Sequence, residues 1–280
     1  MSYLEVILQA ILQGFTEFLP ISSSGHLSVA QYFMGTESES RVMFILVVHI
    51  GTLIAVFAAF RKLIIKLIAE TGRLIRDLVT LKFSFENMNP ERNMIFMLVL
   101  ALIPLALFYP FRDFFKGLAE DSDITVEGIC FLFTALLLFL ADKCVKGRRR
   151  IGDINYRNAL TIGVFQSIAL LPGVSRSGST ISAGLFCGLT KETAVKFSFI
   201  LGIPAIIAGT LSEAGDLSAA SESIGGMKII LALAVSAAAG FLAIKAVTWL
   251  IKSNKFFIFA IYLAILGIGV IISGIVGKII

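Results

Sequence analysis

Two polar segments lie within otherwise apolar sequence and carry side chains that could act on a phosphate group. The first follows Glu17 and runs from Ser22 to His26 as Ser-Ser-Ser-Gly-His. A carboxylate inside an apolar stretch is costly unless it is paired or bound to a metal. Gln13 precedes Glu17 by one helical turn, so the two side chains share a helix face. Oxygen ligands of this kind suit Mg²⁺ or Ca²⁺ shared with a phosphate, while the alternative is that Glu17 braces the break in the chain.

The remaining polar residues of this first segment could take part in catalysis or binding. His26 beside three serines could act as a general base or a nucleophile, and a purely structural histidine is the alternative. Other residues at the same tip could contact a phosphate: Ser22, Ser24 and Gly25. The second histidine, His49, lies within an apolar run, where it either faces a cavity or bonds across helices, and it receives no role.

The second polar segment runs from Pro172 to Thr180 and holds the only basic residue between Arg157 and Lys191. This residue, Arg176, would lie at a buried depth, and its planar guanidinium matches a pair of phosphate oxygens. The hydroxyls and glycines around it suit a half-helix N-terminus, whose free N–H groups attract anions. They are Ser175, Ser177, Gly178 and Thr180. The alternative is an arginine that bonds hairpin carbonyls. Together, the two segments hold the groups needed to break a phosphoric anhydride at a membrane surface.

The composition places both segments in a membrane. The 280 residues are 57% hydrophobic and 15% charged, with a mean hydropathy of +0.92, whereas soluble proteins have about 45–50% apolar and about 25% charged residues. Spans of about 20 residues leave room for about six to eight membrane elements in a single domain, 1–280. The net charge of +5 comes from basic residues in short loops, so membrane orientation explains it better than a nucleic-acid partner.

Six apolar stretches are long enough to cross a bilayer. They are Val42–Phe60, Met94–Tyr109, Ile124–Ala141, Ala194–Leu211, Ile229–Leu250 and Phe256–Ile275. Two further stretches, Leu4–Phe33 and Ala159–Leu189, are each interrupted by a Leu-Pro step and a Ser/Gly cluster. Proline breaks the helical hydrogen-bond ladder and glycine permits a tight turn. Each interrupted stretch is therefore predicted to form two half-helices around a polar break.

Loop charges predict how these elements are oriented. The loop Arg61–Arg92 and the loop after Ala141 are basic and should face the cytoplasm. Acidic residues should mark the outer side: Glu37, Glu39, Glu120, Asp121, Asp123, Glu213, Asp216 and Glu222. The two interrupted stretches would then be re-entrant hairpins that enter from opposite faces. The prediction is an all-α integral membrane protein with an inverted-topology repeat, each half a re-entrant helical hairpin plus three transmembrane helices (repeat 1 about 1–141, repeat 2 about 158–276).

The sequence also resembles a known family at these same residues. The Gln-x-x-x-Glu stretch with Leu-Pro-x-Ser-Ser-Ser-Gly-His, and the distant Pro-Gly-Val-Ser-Arg-Ser-Gly-Ser-Thr, are similar to the two signature motifs of the undecaprenyl-diphosphatase (bacitracin-resistance) family. The resemblance extends to chain length and span pattern. It implies hydrolysis of undecaprenyl diphosphate to undecaprenyl phosphate and inorganic phosphate, which recycles the lipid carrier of cell-wall synthesis. It also implies the bacterial cytoplasmic membrane and a site open to its outer face.

The resemblance further implies roles for individual residues. Glu17 and, less directly, Gln13 match the family's acidic motif, which is tied to a divalent metal and catalysis. Ser23 matches the serine taken as nucleophile, with His26 assisting, and Arg176 matches the phosphate-binding arginine. The polar residues that match the second motif are Ser175 and Thr180.

This chain departs from the family pattern at two places. Some members have glutamate where this chain has Gln13, so Glu17 becomes the main candidate ligand. Many members carry a Tyr-Arg pair in the last span, whereas Tyr262 is followed here by Leu263, which puts a second phosphate contact in doubt.

Three other readings compete with the hydrolase. A lipid or small-molecule transporter or flippase would share the inverted repeat but would need neither a nucleophile nor a base. An intramembrane serine protease using Ser23 and His26 would leave Glu17 and Arg176 without a function. A lipid phosphatase of the other major class would need a second histidine in a downstream motif. Within the hydrolase reading, either Ser23 or a metal-bound water could attack the phosphorus. An oligomer is possible.

Overall fold

The computed structural model of the chain describes residues 1–34, 41–84, 88–117, 124–144, 147–213, 225–253 and 255–277. Within these residues the secondary structure is helical, and the only β-type pairing is a single bridge between Arg149 and Leu189. The all-helical prediction is confirmed.

The helices follow one another along the chain. They are α1 (Tyr3–Phe18), α2 (Ser23–Met34), α3 (Arg41–Ala59), α4 (Arg61–Val79), α5 (Pro90–Phe108), α6 (Arg112–Gly117), α7 (Thr125–Asp142), α8 (Tyr156–Ile168), α9 (Arg176–Phe186), α10 (Lys191–Glu213), α11 (Gly226–Lys252) and α12 (Phe257–Gly277), with 3₁₀ turns at Tyr109–Phe111 and Ile151–Asp153.

Five of these helices are long and apolar enough to cross a membrane, namely α5, α7, α10, α11 and α12. A sixth span is counted if α3 and α4 are taken as one bent pair. The six apolar stretches predicted from the sequence therefore lie on α3, α5, α7, α10, α11 and α12. The chain is a multi-pass membrane protein.

Both interrupted stretches are broken where the prediction placed the breaks. α1 ends at Phe18, and Leu19 is extended because the residue before a proline is disfavoured in the α conformation. Ser22 then takes a positive φ of 73° before α2 begins. In the second stretch Gly173 has a φ of +92°, a left-handed conformation that glycine adopts without steric cost. Each stretch is thus a pair of short helices around a polar turn.

The basic segment after α3 is a helix and not the loop that its charges led us to predict. α4 turns by 88° from α3 and buries a face at Ile64, Leu67, Glu70 and Leu74. This spacing of three and four residues is that of an amphipathic helix, and the many intervening charges concealed it. Arg92 of α5 anchors α4, because its Nε donates to Glu70 Oε1 at 2.7 Å.

Close helix packing sets the depth of the two polar turns. α1 packs against α11 and α3, while α8 packs against α5 and α9. A Cβ at Gly14 of α1 would collide with Ser236 and Ala239, and a Cβ at Gly163 of α8 would collide with the Ala101 carbonyl. Glycine at these positions lets the first helix of each pair approach its neighbour closely enough to bring the turns together.

The structure does not extend to most of the acidic residues used to predict orientation. Outside the described residues lie Glu37, Glu39, Glu120, Asp121, Asp123, Asp216 and Glu222. The membrane orientation and the inverted repeat therefore stay predictions.

Candidate active site

A cavity of about 260 Å³ lies between the two polar turns. Side chains from α1, α2, α3, α5, α8, α9 and α10 line it, so it is assembled from both halves of the chain. The sequence-predicted residues in its lining are Glu17, Ser22, Ser23, Ser24, Ser175, Arg176 and Ser177. The predicted residues outside the lining are Gln13, Gly25, His26, Gly178 and Thr180.

Glu17 lies at the centre of the site and is 8% exposed. Its Oε1 accepts a hydrogen bond of 2.5 Å from Arg176 Nη2, and its Oε2 accepts one of 2.8 Å from Ser23 Oγ. Gln13 Nε2 donates to the same Oε2 at 2.9 Å, from one turn earlier on α1. The carboxylate therefore links the nucleophile candidate, the basic residue and its own helix, and the cost of burying it is offset by these partners.

Arg176 is the first residue of α9 and keeps one donor group free. Its Nη2 is bonded to Glu17, whereas its Nη1 is buried with no hydrogen-bond partner among the described residues. The side chain lies against α10 at Gly202, where a Cβ would collide with the guanidinium. An unsatisfied, positively charged donor is costly unless a ligand supplies an acceptor, so this group is suited to an anion.

The serines of the first turn are held by a local network. Ser22 Oγ accepts from the Gly25 backbone N–H at 3.3 Å and lies 3.4 Å from Ser24 Oγ. Ser24 Oγ in turn accepts from the backbone N–H of Gly173, in the other turn, at 3.4 Å. A Cβ at Gly25 would meet the Phe131 ring, so the small residue allows this contact between the turns.

The second turn is arranged as a helix N-terminus. Ser175 is the N-cap of α9, and its Oγ accepts from the Gly178 backbone N–H at 3.0 Å. Ser177 Oγ donates to the Leu19 carbonyl of the first turn at 3.1 Å. Thr180 lies deeper: its Oγ1 donates to the Arg176 carbonyl at 2.8 Å and contacts Ser198 Oγ at 2.6 Å. Gly178 and Thr180 thus support α9 and do not face the cavity.

His26 is bonded on both ring nitrogens. Nδ1 donates to the Ser22 carbonyl at 2.7 Å, so Nε2 accepts the hydrogen bond of 2.8 Å from the Tyr262 hydroxyl. The Tyr262 ring stacks on the imidazole, with 5.7 Å between centroids. In this arrangement neither nitrogen bonds Ser23. Tyr262 therefore holds His26 in place. Tyr262 entered the sequence-based prediction only through the family's Tyr-Arg pair, and this contact was not predicted.

Two further residues in the lining had no role in the sequence-based prediction. His49 of α3 has its Nε2 3.8 Å from Glu17 Oε2, and its side chain is 25% exposed. Gln166 of α8 is buried, and neither of its side-chain amide atoms has a hydrogen-bond partner among the described residues. A histidine and a glutamine within apolar segments were the available signals, but only the packing of α3 and α8 brings them into the same cavity as Glu17 and Arg176.

A metal ion would find few protein ligands here. Among the described residues no group of three or more His, Cys, Asp and Glu side chains could hold one. Both oxygens of Glu17 accept hydrogen bonds, whereas Gln13 Oε1 is buried without a partner. Gln13 lies outside the cavity lining and turns its Nε2 to Glu17, so in this arrangement Glu17 presents an oxygen to the cavity and Gln13 does not.

The fold and the site together define an all-helical, multi-pass membrane protein with a cavity lined by serine hydroxyls, Glu17 and Arg176. The sequence profile of the family described as "Bacitracin resistance protein BacA" matches residues 6–269, and the chain belongs to this family.

Relatives cover the chain almost end to end. The chain is 38% identical over 269 residues to "Undecaprenyl-diphosphatase" of Alkaliphilus metalliredigens, covering 94% of this chain and 95% of that protein. It is 35% identical over 274 residues to "Undecaprenyl-diphosphatase 4" of Bacillus thuringiensis subsp. konkukian, covering 97% and 96%. It is 34% identical over 274 residues to "Undecaprenyl-diphosphatase" of Halothermothrix orenii, covering 97% and 98%.

Proposed function

We propose that this chain hydrolyses undecaprenyl diphosphate to undecaprenyl phosphate and inorganic phosphate in the bacterial cytoplasmic membrane. The observation that carries the proposal is a cavity in which Arg176, Glu17 and Ser23 meet, with Arg176 and Ser23 both bonded to the Glu17 carboxylate. The names of the full-length relatives, which are undecaprenyl-diphosphatases, support the same substrate. The reaction returns the lipid carrier to cell-wall synthesis.

Arg176, the N-terminus of α9 and nearby serine hydroxyls bind the diphosphate in this proposal. Nη2 of Arg176 is bonded to Glu17 and Nη1 is buried against Gly202, so the guanidinium has to shift for a phosphate oxygen to reach Nη1. The N-terminus of α9 adds free backbone N–H groups and a favourable dipole. Hydroxyls in the cavity lining complete the donor set: Ser22, Ser24, Ser175 and Ser177.

Ser23 is the nucleophile in the mechanism that the geometry favours. Its hydroxyl already donates to Glu17 Oε2 at 2.8 Å, so Glu17 can take the proton as the oxygen attacks the terminal phosphorus. The bond from that phosphorus to the bridging oxygen then breaks, and undecaprenyl phosphate leaves. Water hydrolyses the phosphoserine and restores Ser23. In the alternative, water attacks directly and the serines only orient the substrate.

Mg²⁺ or Ca²⁺ would be held by Glu17 and Gln13 together with the diphosphate. An amide oxygen is a hard ligand that both ions accept, but the Gln13 amide would have to turn from its present bond with Glu17 to bring Oε1 to the ion. When bound, the ion would neutralise negative charge on the phosphate oxygens. A neutral Gln13 in place of a carboxylate would weaken metal binding, so a higher metal concentration would be needed for full activity.

An inverted repeat is the architecture that we propose for positioning this site. Its support is the equivalence of helix contacts: α1 packs on α11 as α8 packs on α5, and α7 packs on α12. The repeats would cover about 1–141 and about 158–276 of the single domain, with the hairpin turns meeting inside the bilayer. The cavity lining includes Tyr109 and Thr210, near the C-terminal ends of α5 and α10, which supports an opening to the outer face.

Phosphate release by purified protein in detergent, from a polyprenyl diphosphate with and without a chelator, tests the proposal. We expect metal-dependent release that falls about 10²–10³-fold in Arg176→Ala, because one preorganised donor to a developing oxyanion contributes on that scale. Arg157→Ala, an exposed arginine on α8, is the matched control. No release by folded wild-type protein with metal present would favour the transporter or flippase.

A further inference from the structure

A second cavity, of about 880 Å³, lies at the other end of the helix bundle. It is formed where α3 bends into α4, beside the first turns of α10 and the last turns of α11. Lys196 of this cavity and Thr210 of the active-site cavity both lie on α10. They are on the order of 20 Å apart along the helix axis, since an α-helix rises about 1.5 Å per residue. The two cavities are therefore separate sites.

Five cations line this second cavity. They are Arg61, Lys62, Lys196, Lys245 and Lys252. Within the part of the chain that the structure describes, Glu192 is the one carboxylate that forms an ion pair with any of them, to Lys196 at 2.7 Å. Lys245 Nζ instead lies over the Phe241 ring, 4.5 Å from its centroid. Several positive charges facing one cavity repel one another, so the cavity is suited to bind an anion.

The remaining walls of the cavity are apolar. They include Phe60, Leu63, Phe241, Ile244 and Trp249. Lys245 precedes Lys252 by two turns of α11, so the two residues lie about 10 Å apart along the helix axis. A free inorganic anion would meet the cations and leave these walls unused. In a bound lipid, the phosphate would contact the cations and an acyl chain would pack along Phe241 and Ile244.

The helix next to the cavity carries the signs of a membrane–water interface. α4 lies at 88° to α3, and an apolar stripe of Ile65, Ile68 and Ile75 is more than half exposed on it. Such a helix lies in the plane of the interface with its apolar side in the lipid. Trp249, which is 62% exposed, is the residue type enriched at this level. The cations are thus at headgroup depth.

We propose that this cavity binds an acidic phospholipid. The phosphate of the lipid lies among the five cations, and one acyl chain packs on the apolar walls. Basic pockets between membrane helices on the cytoplasmic side are suited to anionic headgroups, and the positive-inside rule assigns this end of the bundle to that side. The lipid fills the space at the α3–α4 bend and stabilises it.

Lipid retention and thermal unfolding test the proposal. The full chain is reconstituted in phosphatidylcholine nanodiscs with increasing phosphatidylglycerol, and bound lipids are counted by native mass spectrometry. The test variant is Lys245→Gln/Lys252→Gln. The matched control is Lys82→Gln/Arg148→Gln, which removes the same charge from exposed positions outside the cavity that form no ion pair among the described residues. Lys245→Arg/Lys252→Arg shows whether the charge or the lysine itself is needed.

Wild type and the control should retain phosphatidylglycerol, and the test variant should bind it about thirtyfold more weakly. Each juxtamembrane cation contributes about 1 kcal/mol, and about 1.4 kcal/mol corresponds to a factor of ten. The arginine variant should recover most of this binding. Equal retention of phosphatidylglycerol and phosphatidylcholine by wild type would overturn the proposal. So would equal losses in the test and control variants, or stabilisation by glycerol phosphate equal to that by the lipid. Stronger retention of polyprenyl phosphate than phosphatidylglycerol would also overturn it. None of these readouts depends on hydrolase activity.

Discussion

Arg176 Nη2 donates a hydrogen bond of 2.5 Å to Glu17 Oε1, joining two residues that are 159 positions apart. Each residue lies at the polar break of its own helical hairpin. The ion pair therefore joins the two hairpins and fixes the orientation of the guanidinium beside Gly202. Substitutions that displace the Glu17 carboxylate or the Arg176 guanidinium should therefore reduce phosphate release while the chain stays folded.

Gly202→Ala should impair the site without changing any of its polar residues. A Cβ there would collide with the Arg176 guanidinium, which has to move and misplace its donors. We expect phosphate release to fall about tenfold or more, since small displacements of catalytic groups are costly. Gly269→Ala on α12, where no atom lies within 4 Å of the added Cβ, is the control. Equal activity of the two variants would mean that the guanidinium position is not critical.

Ser23→Ala should lower turnover more than the neighbouring change Ser24→Ala. Ser23 donates to Glu17, whereas Ser24 accepts from Gly173 and joins the two turns. Loss of a nucleophile should cost about 10³-fold or more, and loss of a positioning hydroxyl much less. Steady-state phosphate release, with a rapid quench to detect phosphoserine, measures this. Near-normal turnover of Ser23→Ala would leave attack by water as the mechanism.

His49→Ala should lower turnover about 10²-fold, the scale of acid–base assistance. His49 Nε2 lies 3.8 Å from Glu17 Oε2 in the cavity, beyond direct hydrogen-bond distance, so the two must move closer in the substrate complex for a proton to pass between them. His49→Gln keeps a polar group but cannot gain a charge, so it should recover only part of the loss. Turnover measured with saturating substrate distinguishes these variants. Full activity of His49→Ala would remove this residue from the mechanism.

Tyr262→Phe should reduce stability by about 1 kcal/mol, because it leaves His26 Nε2 without its donor. Thermal unfolding in detergent measures the change. Tyr32→Phe is the control, since that ring contacts only the neighbouring Phe33 ring among the aromatic pairs of the described residues. An unchanged unfolding temperature for Tyr262→Phe would show that the hydroxyl does not hold His26.

Arg92→Leu should lower the unfolding temperature at neutral pH, because Glu70 and Asp77 both lose the guanidinium that they bind. The hydrogen bond from Arg92 holds the pKa of Asp77 below its usual value of 3.8. Burial alone would raise the pKa of Glu70, but the hydrogen bonds and charges of Arg92, Asn89 and Arg73 together outweigh burial and lower it.

Because both folded-state pKa values are depressed, this stabilisation is present above the ordinary carboxyl range and is lost as the pH falls through the folded values. The difference in unfolding temperature between wild type and Arg92→Leu should therefore shrink below about pH 4. Arg76→Leu, an exposed arginine 3.6 Å from Asp77, should have little effect at any pH. A difference that stays constant with pH would contradict the assigned ion pairs.

Much of the site could be predicted because a membrane-spanning sequence tolerates few polar or charged side chains. A polar residue such as Glu17 or Arg176 inside an apolar stretch needs a partner, so its presence alone marks a site. The breaks near Pro20 and Gly173 follow from local chain chemistry. α4 was missed because its charged residues were taken only as loop charges that set the orientation, although its apolar residues recur at helical spacing.

The sequence by itself determined the membrane class, the two broken stretches and the residue types that face an anion, since these depend on local composition and backbone preference. Only the tertiary structure decided which groups meet. Glu17 bonds both Ser23 and Arg176, and His49 lies in the same cavity. His26 bonds the Tyr262 hydroxyl instead of Ser23. These contacts join distant helices, and their distances depend on how closely those helices pack, which no local pattern records.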